Sequence, residues 1–347
     1  MENKFELKLK QMHPGVADMD AKYTFYCEYN DKIIENSWDA MILLKTDCSE
    51  VKVNGLDVIV PYSFRQAGRT VKVTAILNDY MTKTEGLTAD YVLTFSTAFS
   101  DEPTLFDDFD GPLNTDIWTE GEESWEYKGA QPGRIENSDY VMNVDKDKRL
   151  NMLTTAKSFQ QTFGCFSAKM KFPDYKNTSC TCNCAFWLCS NVLKPEEIMF
   201  KRNPDFNEKF GRIHAGEIDI VEYSPTFGDH FAGTIHWHGW TNGIHRQSGD
   251  TSLAAPKIRE GYHVISLIWE PGVLYWYFDG ELVRTYKGEG IETAGQEFGA
   301  DMVVLLQMGY HKPAPDKYQG NWIGRTFEED LPLEFRTDWV KVHALKK

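Results

Sequence analysis

No run of about eighteen apolar residues occurs in the chain, so no membrane-spanning helix and no membrane partner are expected. The opening stretch "MENKFELKLKQMHPG" has no apolar core and does not read as a signal peptide. Secretion or cell-surface display is therefore expected only if a leader has been removed, with the cytoplasm as the alternative. Positive charge is scarce: 37 Lys and Arg stand against 52 Asp and Glu, a formal net charge of −15. Nucleic acid is a poor partner for such a surface, and a heavily sulfated substrate is disfavoured unless a local basic groove overrides the total. Cysteines number seven, which argues against a complete disulfide framework. Helical periodicity is hard to find anywhere.

What the chain has in quantity is aromatic residues, 14% in all, including 10 Trp and 16 Tyr. Flat rings stack on the apolar faces of sugars, so the surplus fits carbohydrate binding; it fits an aromatic-rich β core equally well. Residues 1–102 read as short strands between turns, with turn pairs at Asn30-Asp31, Asn54-Gly55 and Ala67-Gly68. The spacing predicts a small immunoglobulin-like β-sandwich. The segment "SDEPT" marks a boundary, and residues 103–347 read as longer, Trp-rich strands of one curved antiparallel sandwich, or jelly roll. The whole chain is thus expected to be all-β. Within "YFDGELV", Asp279-Gly280 predicts a type I′ hairpin.

The run "CTCNCAFWLC" holds four of the cysteines. A thiolate metal cluster is one reading. Strand alternation gives another, with Cys180, Cys182, Cys184, Phe186 and Leu188 toward a core and Thr181, Asn183, Ala185 and Trp187 on the opposite face.

The decisive stretch is "GEIDIVEYSP", residues 216–225, which sets Glu217, Asp219 and Glu222 among Ile218, Ile220 and Val221. As a helix the acids share no face. As a regular strand, Glu217 and Asp219 share a face and Glu222 points away. A β-bulge at Ile220-Val221 returns Glu222 to the acidic face and turns the apolar residues to the core. Three adjacent carboxylates repel one another, so their face is solvated, paired or functional. Retaining glycosidases use two carboxyls about 5–5.5 Å apart as nucleophile and acid/base.

"GEIDIVEY" resembles the bulged E-x-D-x-x-E signature of glycoside hydrolase family 16. "FDDFDGPLNTDIW", "FGCFSAKMKFP", "AFWL", "GTIHWHG", "HVISLIWEPGVLYWYFDGELV" and "TDWVKV" are similar to further segments of the family, in the same order. The resemblance covers about residues 103–347. It implies a monomeric, retaining endo-β-glycanase that needs no cofactor and acts on a polysaccharide or oligosaccharide. The expected substrate is a β-1,3- or mixed β-1,3/1,4-glucan. The alternatives are a β-galactan or host O-glycan, or a non-catalytic glycan-binding role. By the same resemblance Glu217 is the nucleophile, Glu222 the acid/base and Asp219 the residue that tunes both. The charges of Glu217 and Asp219 are expected to help keep Glu222 protonated. His236, Trp187, Trp240 and Trp322 are candidate groove residues. Asp338, with backbone near Asp108 to Gly111, matches a position that holds a structural calcium in many relatives. The long stretch 190–214 and the stretch "MGYHKPAPDKYQGNW" depart from the family pattern and bear on substrate choice.

Overall fold

The computed structural model describes residues 4–36, 41–65, 68–79, 84–95, 99–121, 129–148, 150–175, 182–190, 216–237, 245–291, 301–310 and 331–346. Two compact units emerge: Met1–Ser100 with Gly280–Leu282 and Leu345–Lys347, and Asp101–Asp279 with Val283–Ala344. Among the described residues no helix is long and apolar enough to cross a membrane.

The first unit contains β1 (Phe5–Leu9), β2 (Ala21–Tyr29), β3 (Lys32–Ile34), β4 (Ile42–Thr46), β5 (Lys52–Asn54), β6 (Asp57–Val60), β7 (Thr70–Asp79) and β8 (Thr84–Thr94). One sheet runs β1-β2-β6-β5, with β3 also on β2, and the other β4-β7-β8. Burial alternates along β2, so Ala21, Tyr23, Phe25 and Cys27 point into the core while their neighbours are half-exposed. That is the signature of a strand with one solvated face. The turn residues Asn30 and Asp31 both have positive φ, +47° and +64°, as a tight I′ connection requires.

The second unit begins with β9 (Leu105–Asp107), β10 (Thr119–Glu120), β11 (Arg134–Glu136), β12 (Asp139–Val144), β13 (Leu150–Thr154), β14 (Gly164–Lys171), β15 (Cys182–Ser190) and β16 (Glu217–Tyr223). It continues with β17 (His230–Trp237), β18 (Arg246–Ala254), β19 (His263–Glu270), β20 (Val273–Phe278), β21 (Glu281–Tyr286), β22 (Met302–Tyr310) and β23 (Leu333–His343). A seven-stranded sheet runs β10-β13-β22-β15-β16-β17-β18, and an eight-stranded one β11-β12-β23-β14-β19-β20-β21 with β9 on β23. The strand pairs are antiparallel throughout this unit. The Asp279-Gly280 turn between β20 and β21 has φ of +48° and +81°, the I′ geometry expected from its sequence.

Strand β15 is buried along its whole length, on both faces. Cys182, Cys184, Phe186 and Leu188 enter the main core together with Ile218, Ile220, Val221 and Ile235. Ala185, Trp187 and Cys189 join a second, smaller cluster with Met152, Val303 and Leu305 on the opposite face. The described thiols of the "CTCNCAFWLC" run therefore alternate with the strand as core residues, and burial holds Cys182 well above the ordinary thiol pKa; Cys180 lies outside the described residues.

The bulge falls in β16. Glu217 pairs with His236 and Asp219 with Thr234, but the next pair is Glu222 with Ala232. On the other side, Trp187 pairs with Asp219 and Phe186 with Val221, so Ile220 is the extra residue. Trp276, fully buried on β20 of the facing sheet, donates from Nε1 to the Asp219 carbonyl at 3.0 Å. Gly233 leaves room for that ring: a Cβ there would lie 2.8 Å from Trp276 Nε1 and 2.8 Å from Leu253 Cδ1. Trp276→Phe keeps an aromatic ring in the core but removes the tie to the bulge. The expected cost is about 1–3 kcal/mol, read as a lower denaturation midpoint at unchanged m-value. An unchanged midpoint would mean that the indole does not hold the bulge.

Candidate active site

Because β16 lies between β15 and β17, its bulge decides what stands beside each acid. Glu217 is flanked by Cys189 and His236, Asp219 by Trp187 and Thr234, and Glu222 by Ala185 and Ala232. The three acids thus share one face with the cluster containing Trp187, and Ile218, Ile220 and Val221 face the main core.

This face is not a solvated one. Asp219 is 3% exposed, His236 7% and Glu217 9%, and Glu222 is half-buried. Burial removes water from the carboxylates and favours their neutral forms. Asp219 is held well above the usual carboxylate range, first by burial, then by the charges of Glu222 and Glu217 and a hydrogen bond with Glu217. Glu222 is pushed up to about 7, by burial first and by the charge of Glu217 second. Asn183 opposes that shift, donating from Nδ2 to Glu222 Oε1 at 3.1 Å. Burial and the two neighbouring charges thus favour the neutral form of Asp219.

His236 completes the row. Its Nε2 lies 3.1 Å from Asp219 Oδ2 and 3.6 Å from Glu217 Oε1. Its Nδ1 lies 2.9 Å from Nε2 of His245, just before β18. Ligand atoms of Glu217, Asp219 and His236 fall within 4.8 Å of one another.

Of the residues singled out in the sequence, the fold gathers Glu217, Asp219, Glu222, His236 and Trp187 on one sheet face. Trp240 and Trp322 lie outside the described residues, as do His238 and the stretches 191–215 and 311–330. Asp338 stands elsewhere, on β23 of the other sheet, where its Oδ2 is 2.5 Å from Lys169 Nζ. An ammonium already meets the charge that a calcium ion would need, so these side chains do not fit a calcium site at Asp338. Asn183 and His245 were not singled out as site residues. The alternation placed Asn183 on the face of Trp187, a signal for it; His245 is brought in only by the β17–β18 register.

The description "Glycosyl hydrolases family 16" matches residues 120–340. The clotting factor G alpha subunit of Tachypleus tridentatus is 22% identical over 234 residues, 64% of this chain and 30% of the relative. The beta-glucanase of Rhodothermus marinus is 26% identical over 133 residues, 37% of this chain and 44% of the relative. The chain thus spans less than half the length of each of these curated relatives. Among solved structures, the laminarinase catalytic domain of Thermotoga maritima superposes with a TM-score of 0.51 at 19% identity, covering 72% of this chain and 99% of that one. An endo-acting O-glycanase structure from human gut microbiota that initiate mucin breakdown gives 0.51 at 17% identity, covering 71% and 100%. At these identities the likeness is one of fold, and both neighbours share the architecture described above. With well over half its length matched by the family, the chain belongs to family 16 of the glycosyl hydrolases.

Proposed function

We propose that the protein is a retaining endo-β-glycanase that cleaves a β-1,3- or mixed-linkage β-1,3/1,4-glucan by double displacement. The observation that carries this reading is the division of charge along the acidic row. Glu222 is pushed up to about 7 and Asp219 well above the usual carboxylate range, by burial first, and the charge of Glu217 raises both. Two carboxyls of one strand held in opposite protonation states are what acid and nucleophile require.

In the first step Glu222 gives its proton to the glycosidic oxygen as the bond to the anomeric carbon breaks. The Glu217 carboxylate attacks that carbon and forms a glycosyl ester. In the second step Glu222, now ionised, takes a proton from water, and the water oxygen displaces Glu217. Two inversions at one carbon retain its configuration. Asp219 donates to Glu217 in the resting enzyme and strengthens it as a leaving group in the second step. Trp187, buried on the same face, packs beside the acids in the smaller cluster, and Asn183 orients Glu222. These groups suffice without a cofactor.

The glucan assignment is supported by the beta-glucanase relative and the laminarinase fold neighbour. A second reading, an endo-acting O-glycanase or β-galactanase, is favoured by the equal likeness to the mucin-degrading structure. The first hundred residues are assigned as an immunoglobulin-like accessory domain.

Glu217→Gln and Glu222→Gln are each expected to reduce kcat at least a thousandfold with the fold intact, since each removes a group that the chemistry uses directly. The alkaline limb of kcat/KM should fall near pH 7 in the wild type. Stability should follow the same proton. The raised pKa of Glu222 stabilises the fold fully below its ordinary value of 4.5, and this is lost as pH rises toward about 7. Glu222→Gln, neutral at every pH, should therefore gain a few degrees in Tm over wild type at pH 8 and little at pH 4. Equal Tm differences at both pH values would mean that folding does not raise the pKa of Glu222.

A panel of laminarin, lichenan, agarose, porphyran and mucin O-glycans, with products resolved by mass, separates the substrate readings. Endo-products from laminarin or lichenan are expected. Cleavage of the galactans or O-glycans alone would replace the glucan assignment and leave the mechanism standing.

A further inference from the structure

The acidic row does not end at His236. Asp219 Oδ2, His236 Nε2, His236 Nδ1 and His245 Nε2 form a continuous line with gaps of 3.1 and 2.9 Å. The two rings have centroids 5.2 Å apart and planes 21° apart. That centroid separation matches the N···N gap with one ring radius added at each end, so the imidazoles meet edge to edge along the bond rather than face to face.

An N···N contact this short holds one proton. Two lone pairs would repel, and two N–H groups would collide. If the proton belongs to His245, His236 accepts at Nδ1, and its own neutral form must carry hydrogen at Nε2. That N–H then points at Asp219 Oδ2, with Glu217 Oε1 as its next acceptor at 3.6 Å. If instead the proton belongs to His236 Nδ1, neutral His236 turns a bare lone pair toward two carboxyl groups. The geometry favours the first arrangement: Asp219 Oδ2 at 3.1 Å and Glu217 Oε1 at 3.6 Å offer two carboxyl oxygens to accept from Nε2–H. His236 is buried and His245 half-exposed, so the outer ring is the one that meets solvent.

We propose that His245 is a positioning residue for the hydrolysis: its Nε2–H bond to His236 Nδ1 fixes His236 as the Nε2–H tautomer that steadies Asp219 and, through it, Glu217. The proposal rests on the reading of Glu217 as nucleophile. It adds a residue that acts on the acids through His236. Arg246, next in the chain, donates to the His245 carbonyl at 3.1 Å and ties the backbone rather than the ring.

The test compares wild type with His245→Ala, His245→Gln, Glu217→Gln and Glu222→Gln, using 15N imidazole shifts and steady-state kinetics on a cleaved glucan. In wild type, His236 should show a bare, hydrogen-bonded Nδ1 and a protonated Nε2. His245→Ala should lose that single tautomer, and kcat should fall about 10–100-fold with KM within about twofold, as for other outer partners that orient a working imidazole. His245→Gln, whose amide N–H can donate to Nδ1, should restore the tautomer and most of kcat. An unchanged tautomer and kcat in His245→Ala would overturn the proposal, and so would His236 protonated at Nδ1 in wild type. The glutamine variants report separately on the underlying reading. If they stay active the nucleophile assignment fails, whereas inactive glutamine variants beside a fully active His245→Ala remove only the role of His245. Should no glycan be cleaved, the 15N tautomer decides the proposal alone.

Discussion

The structure turns on the repulsion among three carboxyl groups confined to one face of a buried strand. Water cannot screen them there, so they cannot all be ionised, and the proton they retain must be placed. The bulge at Ile220 makes the confinement possible. With the same residues paired in unbroken alternation, Glu222 would point into the apolar core, where a carboxyl group has no partner. The bulge therefore sets both the geometry and the charge state of the site. The Trp276 bond to the Asp219 carbonyl shows that the facing sheet takes part in holding it.

The same constraint ranks the surrounding residues. Asn183 donates to Glu222 and favours ionisation, while burial and Glu217 oppose it more strongly, so the acid keeps its proton near neutrality and can still lose it. His236 joins the row through Nε2, 3.1 Å from Asp219 Oδ2, and Nδ1, 2.9 Å from His245. An array of this kind gives the three carboxyl groups a short path by which each answers a change in the charge of another. Removing water from both faces of β15 and β16 keeps these interactions strong.

Much of this was legible in the sequence because strand alternation is a strict period. It assigned the faces of "CNCAFWL", and it forced a bulge between Asp219 and Glu222, where the register shift is found. The Asp279-Gly280 turn was legible for a similar reason, since few residue pairs adopt two positive φ values in succession. Strand β18 was missed: "RQSGDTSLA" is polar and mostly exposed, and pairing with β17 rather than its own pattern makes it a strand. The pKa of Glu222 was attributed to like charges, but burial is the larger cause, and burial depends on the neighbours of a strand. Lys169 beside Asp338 and His245 beside His236 depend on cross-strand register, including a bulge at Lys169-Met170, which no local pattern reveals.

The central claim is that Glu217 is the carboxylate which attacks the sugar. With the acid/base removed, as in Glu222→Ala, an aryl β-glycoside with a good leaving group needs no proton to react, so its sugar should transfer to the nucleophile and hydrolyse slowly from it. Peptide mass spectrometry of that reaction, quenched during turnover, tests the claim directly. The account predicts one glycosyl group per chain, on the peptide containing Gly216 to Pro225 and esterified at Glu217. Glycosylation at Asp219 or at a residue outside β16 would contradict it, and so would release of inverted sugar with no adduct.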